Sequence, residues 1–444
     1  MKYISIHDLY NIYLKNTEIS IDSRCIVKDS IFVAIKGKNF NGNQFADQAI
    51  KLGAGYALVD DASINYKNKD QILFVENSLQ SLVELAKLHR DHIKVPVIAI
   101  TGTSGKTTTK NLISALLSTK YKLLSTKGNL NSNIGLPLTI LKIKPEHQIV
   151  VLEMGADQIG DIENKCNIAK PSHGLITIIG KAHIISFGSL DNIKRTKAEL
   201  YKYLLDNKGL AFVNSDDKML MDLSETIDKK IFYGTDADKI NTIYGQVQFV
   251  ENKIQIKWKA SSDNSPNFHS VNTNMTGTYN LLNCLASIAV AKHFKVPDDS
   301  INYALSEFKP TDMRSELIHT NKNNTVINDT YNANPLSMSE ALKSFSSMQA
   351  KQKIAIIGDM LEMGKYAFQE HEKIIQLVQH LNIKTIVFIG EEFYSLRELF
   401  KGSNKLEFFK NISLAKSYAD NIYNSHVLIK ASRALSLENL IKNL

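Results

Sequence analysis

A short glycine-rich segment in the first third of the chain carries the residue types needed to hold a phosphate group. It reads Gly102-Thr103-Ser104-Gly105-Lys106-Thr107-Thr108, and it lies between the apolar run PVIAIT and the helical pattern KNLISALLSTK. Small residues let backbone N–H groups point at phosphate oxygens, a lysine neutralises charge, and a hydroxyl can ligate magnesium. We therefore predict an ATP-binding loop between a buried strand and a helix.

The spacing of this loop differs from the common GxxxxGK[ST] pattern. Ile100 occupies the position of the first glycine, and Gly102 lies two residues later. The alternative is a plain glycine turn ahead of a helix that bears a lysine. The apolar strand directly before the loop and the helix directly after it favour the phosphate-binding interpretation.

Two more polar side chains follow predicted strands. Glu153 ends the run QIVVLE, and His183 lies just past GLITIIG. Ligands of open α/β sheets bind beyond the carboxyl ends of the strands, so we expect both residues to converge on the loop. Thr107 and Glu153 would suit magnesium, which prefers oxygen ligands. Taken alone, Glu153 is also compatible with a solvated carboxylate, and His183 with a structural histidine.

Several other polar positions are ambiguous on their own. Lys197 in KRTKAEL has the pattern of an ordinary surface lysine. The segment TYNANP, from Thr330 to Pro335, has the pattern of a turn before a helix, and Asn280 and Asn283 lie near a predicted helix start. None of these positions indicates a function by itself, but their order along the chain does.

The alternation of strand-like and helical runs predicts an α/β protein with three domains. We expect a small α/β domain over residues 1–94 and a central domain of phosphate-loop type, with a mainly parallel sheet, over 95–310. A Rossmann-like doubly wound domain would follow over 311–444, ending in a closing helix after HVLIKAS. The alternating segments of Ile231 to Val271 predict an added antiparallel region, with its turn at Glu251-Asn252.

Composition narrows the class of protein. The chain has 444 residues, of which 43% are hydrophobic and 22% charged, as in ordinary globular proteins. The net charge of +8 is spread along the chain without a run of five basic residues, so we expect an anionic small substrate and no nucleic acid. Three separated cysteines favour a reducing cytosol. The N-terminus has no apolar signal core, and the apolar runs are strand-sized, so we expect no export and no membrane insertion.

The order of the motifs resembles the Mur ligase family, which builds the bacterial cell-wall precursor in the cytoplasm. The matching segments are GTSGKTT, KGNLNSNIGLP, VVLEMGA, AHIISFGSLDNIKRTKAEL, NDTYNANP, GDMLEMG and IKASR. The N-terminal DSR and FVAIKGKNFNGNQFA are similar to the uridine-nucleotide domain of the members that add D-alanyl-D-alanine. The resemblance thus extends over nearly the whole chain and implies a monomeric cytoplasmic ligase.

The resemblance implies a reaction in which ATP phosphorylates the terminal carboxylate of UDP-N-acetylmuramoyl-tripeptide. The amine of D-alanyl-D-alanine then attacks the acyl phosphate to form an amide. By the same resemblance Lys106 and the loop amides hold the phosphates, Thr107 and Glu153 bind one Mg²⁺, and His183 helps to bind a second. Lys197 matches a lysine that is carbamylated in the family, which converts a cation into a carboxylate suited to a metal site.

The remaining assignments also come from the resemblance. Asn280 and Asn283 would lie near the adenine, and Arg314 and Asp329 would reach the nucleotide from the third domain. Candidates for substrate contacts are Ser23, Arg24, Gly37, Asn41, Asn43, Asn133, Tyr331, Asn332, Asn334, Ser432 and Arg433. Of these, Tyr331, Asn332 and Asn334 are expected in the dipeptide pocket.

This chain departs from the family pattern at a few positions. The family usually has Asp and His where Asn41 and Asn43 stand, and a histidine where Tyr279 stands. Three alternative functions remain open at this point: the ligase that adds the third amino acid, a folylpolyglutamate synthase, and a nucleotide-binding regulatory protein without catalysis. A folate enzyme would place its phosphate loop near the N-terminus, and a regulatory protein need not retain Lys106, Thr107, Glu153, His183 and Lys197.

Overall fold

Short apolar runs near the N-terminus form a sheet of four parallel strands in sequential order. These strands are β1 (Ile19–Ser20), β2 (Ile31–Val33), β3 (Tyr56–Val59) and β4 (Ile72–Phe74). The accompanying helices are α1 (Ile6–Lys15), α2 (Ala46–Lys51) and α3 (Ser78–His92). The computed structural model describes residues 3–37, 40–181, 184–237, 240–263 and 266–444.

The chain divides into two compact units. One comprises Met1–Ala99, Tyr121–Ala156 and Gly160–His173, and the other comprises Ile100–Lys120, Asp157–Ile159 and Gly174–Leu444. The three domains predicted above, with boundaries at 94/95 and 310/311, stay a prediction.

The described residues in the middle of the chain form nine more strands. They are β5 (Val97–Thr101), β6 (Leu123–Ser125), β7 (Ile149–Glu153), β8 (His173–Ile176), β9 (Leu210–Asn214), β10 (Lys229–Gly234), β11 (Ile243–Val250), β12 (Lys253–Ala260) and β13 (His269–Asn272). In the first unit β6 pairs with β7 in parallel. In the second unit the strands follow the order β13-β12-β11-β10-β9-β8, and β9, β10 and β11 are parallel.

The added antiparallel region is confirmed. Strands β11 and β12 form a hairpin in which Val250 pairs with Lys253, so the turn falls at Glu251-Asn252 as expected. In β12 the side chains of Ile254, Ile256 and Trp258 are buried and alternate with partly exposed lysine and glutamine residues. This alternation is the pattern of a strand with one face on the core.

The helices of this part of the chain include the one predicted directly after the phosphate loop. They are α4 (Lys106–Ser118), α5 (Gly135–Ile140), α6 (Asp161–Ala169), α7 (Ile184–Phe187), α8 (Leu190–Asp206), α9 (Lys218–Ser224), α10 (Asn280–His293) and α11 (Asp298–Glu307). No helix among the described residues is long and apolar enough to cross a bilayer.

The C-terminal sheet has six strands in the order β14-β15-β19-β16-β17-β18, all parallel except the edge strand β14. Its strands are β14 (Glu316–His319), β15 (Thr325–Asp329), β16 (Lys353–Gly358), β17 (Thr385–Ile389), β18 (Leu406–Phe409) and β19 (His426–Lys430). Its helices are α12 (Pro335–Ser347), α13 (Ala367–Gln379), α14 (Glu391–Ser395) and α15 (Ile412–Ala419). The predicted doubly wound sheet is confirmed, and β14 is an element that the sequence did not reveal.

Both faces of this sheet are covered. Ala355 and Ile357 of β16 pack in one core with Met338 and Phe345 of α12, whereas Ile354 and Ile356 pack in a second core with Ala415 of α15. Burial on both faces explains why these strands are continuous apolar runs.

The predicted closing helix is present, but it has 3₁₀ and not α-helical geometry. The chain ends in two 3₁₀ segments, Arg433–Leu435 and Leu437–Asn443. Ser436 between them has a left-handed φ of 51°, which interrupts helical geometry.

A buried arginine connects the backbone segments at the ends of two helices in the first unit. The Arg90 guanidinium donates to the carbonyl oxygens of Ala169 at 2.7 Å, Val95 at 3.1 Å and Lys170 at 3.2 Å. These carbonyls follow α3 and close α6, where the last turns of a helix leave carbonyl groups without helical partners.

We predict that Arg90→Leu lowers the free energy of unfolding by about 2 to 4 kcal/mol, because several buried carbonyls lose a charged donor. Urea denaturation followed by circular dichroism measures the change. The control is Arg195→Leu, since the Arg195 side chain is 70% exposed in an ion pair with Asp191. Equal losses in the two variants would contradict this role of Arg90.

Candidate active site

The phosphate loop adopts a conformation that requires glycine at two positions. Gly102 has a φ of +143° and Gly105, which precedes the first residue of α4, has a φ of +80°. A Cβ atom on Gly102 would lie 2.0 Å from Oγ1 of Thr177, closer than any real contact. The loop therefore has no room for a side chain where its backbone approaches the neighbouring segment.

The loop is held by the residues that follow β8. Thr177 Oγ1 donates to the Ser104 carbonyl oxygen at 2.6 Å, and the Thr103 amide donates to the Ile178 carbonyl oxygen at 2.7 Å. Thr103 Oγ1 also exchanges hydrogen bonds with the backbone of Gly180, at 3.0 and 3.1 Å. We did not predict this support, because nothing in residues 177–180 signals a partner more than 70 residues away.

The start of α4 is suited to an anion. No described side chain caps the N-terminus of this 13-residue helix, so its first-turn amides can face a ligand. Lys106 Nζ lies over the loop and donates to the Gly102 carbonyl oxygen at 2.8 Å. Thr107, in the first turn, is buried. Loop amides, ammonium and hydroxyl thus occur together as a phosphate group requires, and Thr108 continues the same turn.

Asn283 of α10 lies against the phosphate loop. Its Oδ1 accepts from Thr109 Oγ1 at 3.1 Å and would lie 2.8 Å from a Cβ atom on Gly105. Its Nδ2 donates to Asn280 Oδ1 at 2.9 Å, and Asn280 in turn donates to the Thr276 carbonyl oxygen at 2.7 Å. The structure thus places both asparagines beside α4, far from the loop in sequence but close in space.

Lys197 is not an ordinary surface lysine. It lies on α8 with only 3% of its surface exposed, and its Nζ is 5.8 Å from the centre of the Phe187 ring. Lys197 therefore does not have the surface position that its sequence pattern suggests. His183, the other residue predicted in this part of the chain, lies outside the described residues.

Glu153 ends β7 in the first unit and is 2% exposed. Its Oε1 accepts from Asn131 Nδ2 at 2.8 Å, and its amide donates to Thr126 Oγ1 at 3.0 Å. Asn131 is a residue that our sequence analysis missed, although it belongs to the family segment KGNLNSNIGLP. The phosphate loop belongs to the other unit, so a shared Mg²⁺ stays a prediction.

Asn133 lies in the same segment as Asn131. Its Oδ1 accepts from Lys165 Nζ at 2.6 Å, and its Nδ2 donates to Asp161 Oδ1 at 3.4 Å. Lys165 and Asp161 are both buried on α6. The amide of this predicted substrate residue is thereby fixed in orientation.

A buried ion pair joins the carboxyl ends of two strands in the C-terminal sheet. Asp329 and Lys430 are paired residues of β15 and β19, and Lys430 Nζ lies 2.7 Å from Asp329 Oδ2. Lys430 is 3% exposed and also donates to the Asn332 carbonyl oxygen at 3.2 Å. Such a pair fixes geometry more than it adds stability, because both charges lose water.

Arg314 stacks on a predicted substrate residue. Its guanidinium carbon is 3.6 Å from the centre of the Tyr331 ring, a close cation–π contact. Nearby, Tyr279 hydrogen-bonds Ser315 Oγ at 2.6 Å, and burial raises the pKa of its phenol. Tyr279 therefore stays neutral where the family usually has a histidine.

Three more predicted residues of the C-terminal sheet have defined partners. Asn334 caps α12 by accepting from the Ser337 amide at 2.9 Å, whereas Asn332 is exposed. Ser432 Oγ accepts from the Leu361 amide at 2.9 Å. Arg433 is half exposed and forms an ion pair with Glu438.

The predicted substrate residues of the N-terminal sheet fall into an exposed and a buried group. Arg24 is exposed and forms an ion pair with Asp22, which lowers the pKa of that carboxyl to about 2. Ser23 lies between them, and Gly37 is exposed.

Asn43 is 1% exposed, donates to Asp60 Oδ1 at 2.7 Å and accepts from the Asp60 amide at 2.9 Å. Asn41 Oδ1 accepts from the Asn43 amide at 3.1 Å. The hydrogen bonds of Asn41 and Asn43 therefore stabilise the loop that contains them.

One further group of side chains has the spacing of metal ligands. Asp263, His269 and Asp298 each place a ligand atom within 4.8 Å of the others. Lys292 Nζ already lies 2.7 Å from Asp298 Oδ1 and 3.7 Å from Asp263 Oδ1. A cation of the chain itself thus neutralises this group, and we assign no metal to it.

We predict that Gly102→Ala weakens ATP binding about ten- to a hundredfold, because the new methyl group displaces either the loop or Thr177. Isothermal titration calorimetry with ADP measures the effect. Gly402→Ala is the control, since Gly402 has a φ of +93° with no atom within 4 Å of an added Cβ. ADP affinity equal in both variants would contradict the assignment of the loop.

Three family models match the chain. They describe the Mur ligase family catalytic domain over residues 15–95, the Mur ligase middle domain over 100–291, and the Mur ligase glutamate ligase domain over 313–433. The UDP-N-acetylmuramoyl-tripeptide–D-alanyl-D-alanine ligase of Bacillus subtilis is 30% identical, with 96% of this chain and 92% of that protein covered. The ligase of the same name from Buchnera aphidicola subsp. Baizongia pistaciae is 33% identical over the same shares.

Solved structures agree with these matches. MurF from Acinetobacter baumannii has a TM-score of 0.86 at 28% identity, covering 96% of this chain and 93% of that one. MurF ligase from Thermotoga maritima, solved in complex with ADP, has a TM-score of 0.83 at 27% identity, covering 96% of both chains. The chain therefore belongs to the Mur ligase family.

Proposed function

We propose that this Mur ligase joins D-alanyl-D-alanine to UDP-N-acetylmuramoyl-tripeptide in the synthesis of the peptidoglycan precursor. The observation that carries this function is the match, over nearly the whole chain, to ligases of that name. The chain is an ATP-dependent ligase that forms an amide and releases ADP and phosphate. A carboxylate is a poor acceptor for an amine, and its phosphorylation by ATP supplies the leaving group.

The phosphate loop supports the ATP role of the second unit. Lys106 can exchange its contact with the Gly102 carbonyl for phosphate oxygens, since its ammonium already lies over the loop. The amides at the start of α4 would bind the same anion. Asn283 lies beside Gly105 and is held by its hydrogen bond to Asn280, which supports the assignment of both residues to the nucleotide site.

Two charged residues of the C-terminal sheet complete the proposed nucleotide contacts. Arg314 is held by stacking on Tyr331, and Asp329 is held by Lys430. Both side chains thus have restricted orientations before any ligand binds, which reduces the entropy lost on binding.

Magnesium would offset the repulsion between ATP and the attacking carboxylate. The proposed ligands are Thr107, Glu153, His183 and Lys197 in its carbamylated form. Hydroxyl and carboxylate oxygens are the donors that Mg²⁺ prefers.

The substrate assignments follow the same logic. We propose that residues 1–94 bind the uridine nucleotide, that 95–310 bind ATP, and that 311–444 bind the dipeptide. Tyr331, Asn332 and Asn334 would contact D-alanyl-D-alanine, with Ser432 and Arg433 following the adjacent strand β19. Ser23, Arg24, Gly37, Asn41, Asn43 and Asn133 would contact the UDP-linked substrate. A cytoplasmic monomer is part of the same proposal.

Phosphate release from ATP tests the function directly. We expect rapid release only when UDP-N-acetylmuramoyl-tripeptide and D-alanyl-D-alanine are both present, because the amine must consume the activated carboxylate. Each substrate alone is the control. Release that requires glutamate and a folate, or a single amino acid in place of the dipeptide, would contradict the proposed function.

We predict that Lys197→Ala reduces kcat at least a hundredfold and that a small added carboxylate, such as acetate, restores part of the activity. The reason is that the carboxylate would replace the carbamate oxygens. Lys202→Ala is the matched control, because Lys202 is exposed on the same helix. Activity in Lys197→Ala equal to that in Lys202→Ala would refute the carbamate.

A further inference from the structure

A five-residue stretch connects the phosphate loop to the C-terminal sheet. We call residues Thr177–Lys181 the linking segment. Its first part holds Thr103 and Ser104 of the phosphate loop through the hydrogen bonds described above. Its last two residues face the helices of the C-terminal sheet. A Cβ atom on Gly180 would lie 3.0 Å from Leu336 of α12, and Lys181 Nζ donates to Glu370 Oε1 of α13 at 2.8 Å.

The ion pair between Lys181 and Glu370 joins residues 189 positions apart in sequence. The Glu370 side chain is only 6% exposed, and the same oxygen accepts from Lys373 Nζ at 3.0 Å. Burial raises the pKa of Glu370, but the hydrogen bonds and charges of the two lysines outweigh burial and lower it overall. Glu370 is therefore a carboxylate at neutral pH, and a buried carboxylate needs its partners.

The two lysines on Glu370 differ in what they connect. Lys373 lies one turn along the same helix and is 59% exposed, so its contact stays within α13. Lys181 is 35% exposed and brings the linking segment to α13. Its Nζ also lies 5.6 Å from the centre of the Tyr366 ring, which precedes α13. Of these two lysine contacts, the one made by Lys181 connects α13 to the segment that supports the phosphate loop.

A second contact lies close by. The Ile185 amide of α7 donates to the Glu362 carbonyl oxygen at 3.3 Å, and a Cβ atom on Gly364 would lie 3.1 Å from Ile185 Cγ1. The chain following β8 thus meets the C-terminal sheet through backbone and packing contacts as well as through charge.

We propose that Lys181 and Glu370 are positioning residues that couple nucleotide binding at the phosphate loop to dipeptide binding on the C-terminal sheet. The physical path is short. Nucleotide phosphates order the loop, and the loop orders the linking segment through Thr177 and Gly180. Lys181 then holds α13, and Gly180 packs against α12. Helix α12 begins directly after Asn334, a proposed dipeptide contact. This inference rests on the proposed function in one respect, namely that the second ligand is D-alanyl-D-alanine.

Coupling of this kind is reciprocal, because each ligand must change the affinity for the other by the same factor. Loss of the ion pair should therefore leave nucleotide affinity intact when no dipeptide is present. It should weaken the dipeptide when nucleotide is bound. A residue that merely supports folding would change both affinities or neither.

Hydrogen exchange of α13 tests the path with ADP alone. We expect ADP to slow amide exchange over Ala367–Gln379 in the wild type and in Lys373→Gln, and to have no effect there in Glu370→Gln. Lys373→Gln removes the lysine contact within α13, whereas Glu370→Gln removes the carboxylate charge that both lysines share. Lys373→Gln is therefore the matched control. Protection that is equal in all three proteins, or absent from the wild type, would overturn the proposal. Thermal unfolding of each variant checks that it is folded.

Steady-state kinetics test the consequence. At saturating ATP, we expect Lys181→Gln and Glu370→Gln each to raise the KM for D-alanyl-D-alanine about tenfold, with kcat within about twofold of wild type. The double variant should be no worse than either single one, since both remove the same interaction. Additive losses, or an equal rise in KM in Lys373→Gln, would contradict a specific Lys181–Glu370 role.

Failure of the proposed function would be recognised separately. If the wild type released phosphate with another amine and not with D-alanyl-D-alanine, the function would be wrong. The exchange experiment would still decide the coupling, because it needs ADP and no second substrate.

Discussion

An added methyl group on Gly102 would lie 2.0 Å from Thr177 Oγ1, and this close approach is the constraint on which the candidate site depends. It lets the loop backbone meet the segment that follows β8, where Thr177 and Gly180 hold Ser104 and Thr103 by direct hydrogen bonds. With the loop fixed on that side, the amides at the start of α4 and the ammonium of Lys106 lie together, where we propose that phosphate binds. Preorganised donors of this kind bind an anion without a further cost of ordering.

The segment that follows β8 also connects the phosphate loop to the helices of the C-terminal sheet. Lys181 reaches Glu370, and the sheet carries its own charged pair, Asp329 and Lys430, at the carboxyl ends of adjacent strands. Both pairs contain a side chain that is nearly inaccessible to water, so each pair restricts geometry more than it adds stability. In a ligase that must bring an activated carboxylate and an amine together, such restriction is useful, because misplacement of either group lowers the rate steeply.

Much of the fold could be predicted from the sequence, because its signals are local. The run PVIAIT, the glycines after it and the helical pattern that follows define the phosphate loop, and the turn Glu251-Asn252 defines the hairpin. The partners of these elements could not be predicted in the same way. Hydrogen bonds from Thr177 to Ser104 and from Asn131 to Glu153 join ordinary polar residues that are distant in sequence. The pattern after the last strand predicted a closing helix, but not its 3₁₀ geometry or the left-handed Ser436 that interrupts it. Lys197 shows the opposite case. Its local pattern suggests the surface, whereas the family resemblance implies a metal site and the structure shows the residue buried.

The central claim is that ATP hydrolysis by this chain is tied to formation of one amide bond between two particular substrates. Mass spectrometry of the reaction products tests this most directly. With ATP, UDP-N-acetylmuramoyl-tripeptide and D-alanyl-D-alanine, the account predicts a UDP-linked pentapeptide formed in equal amount to ADP. ADP formed without that pentapeptide, or a UDP-linked product extended by a single amino acid, would contradict it.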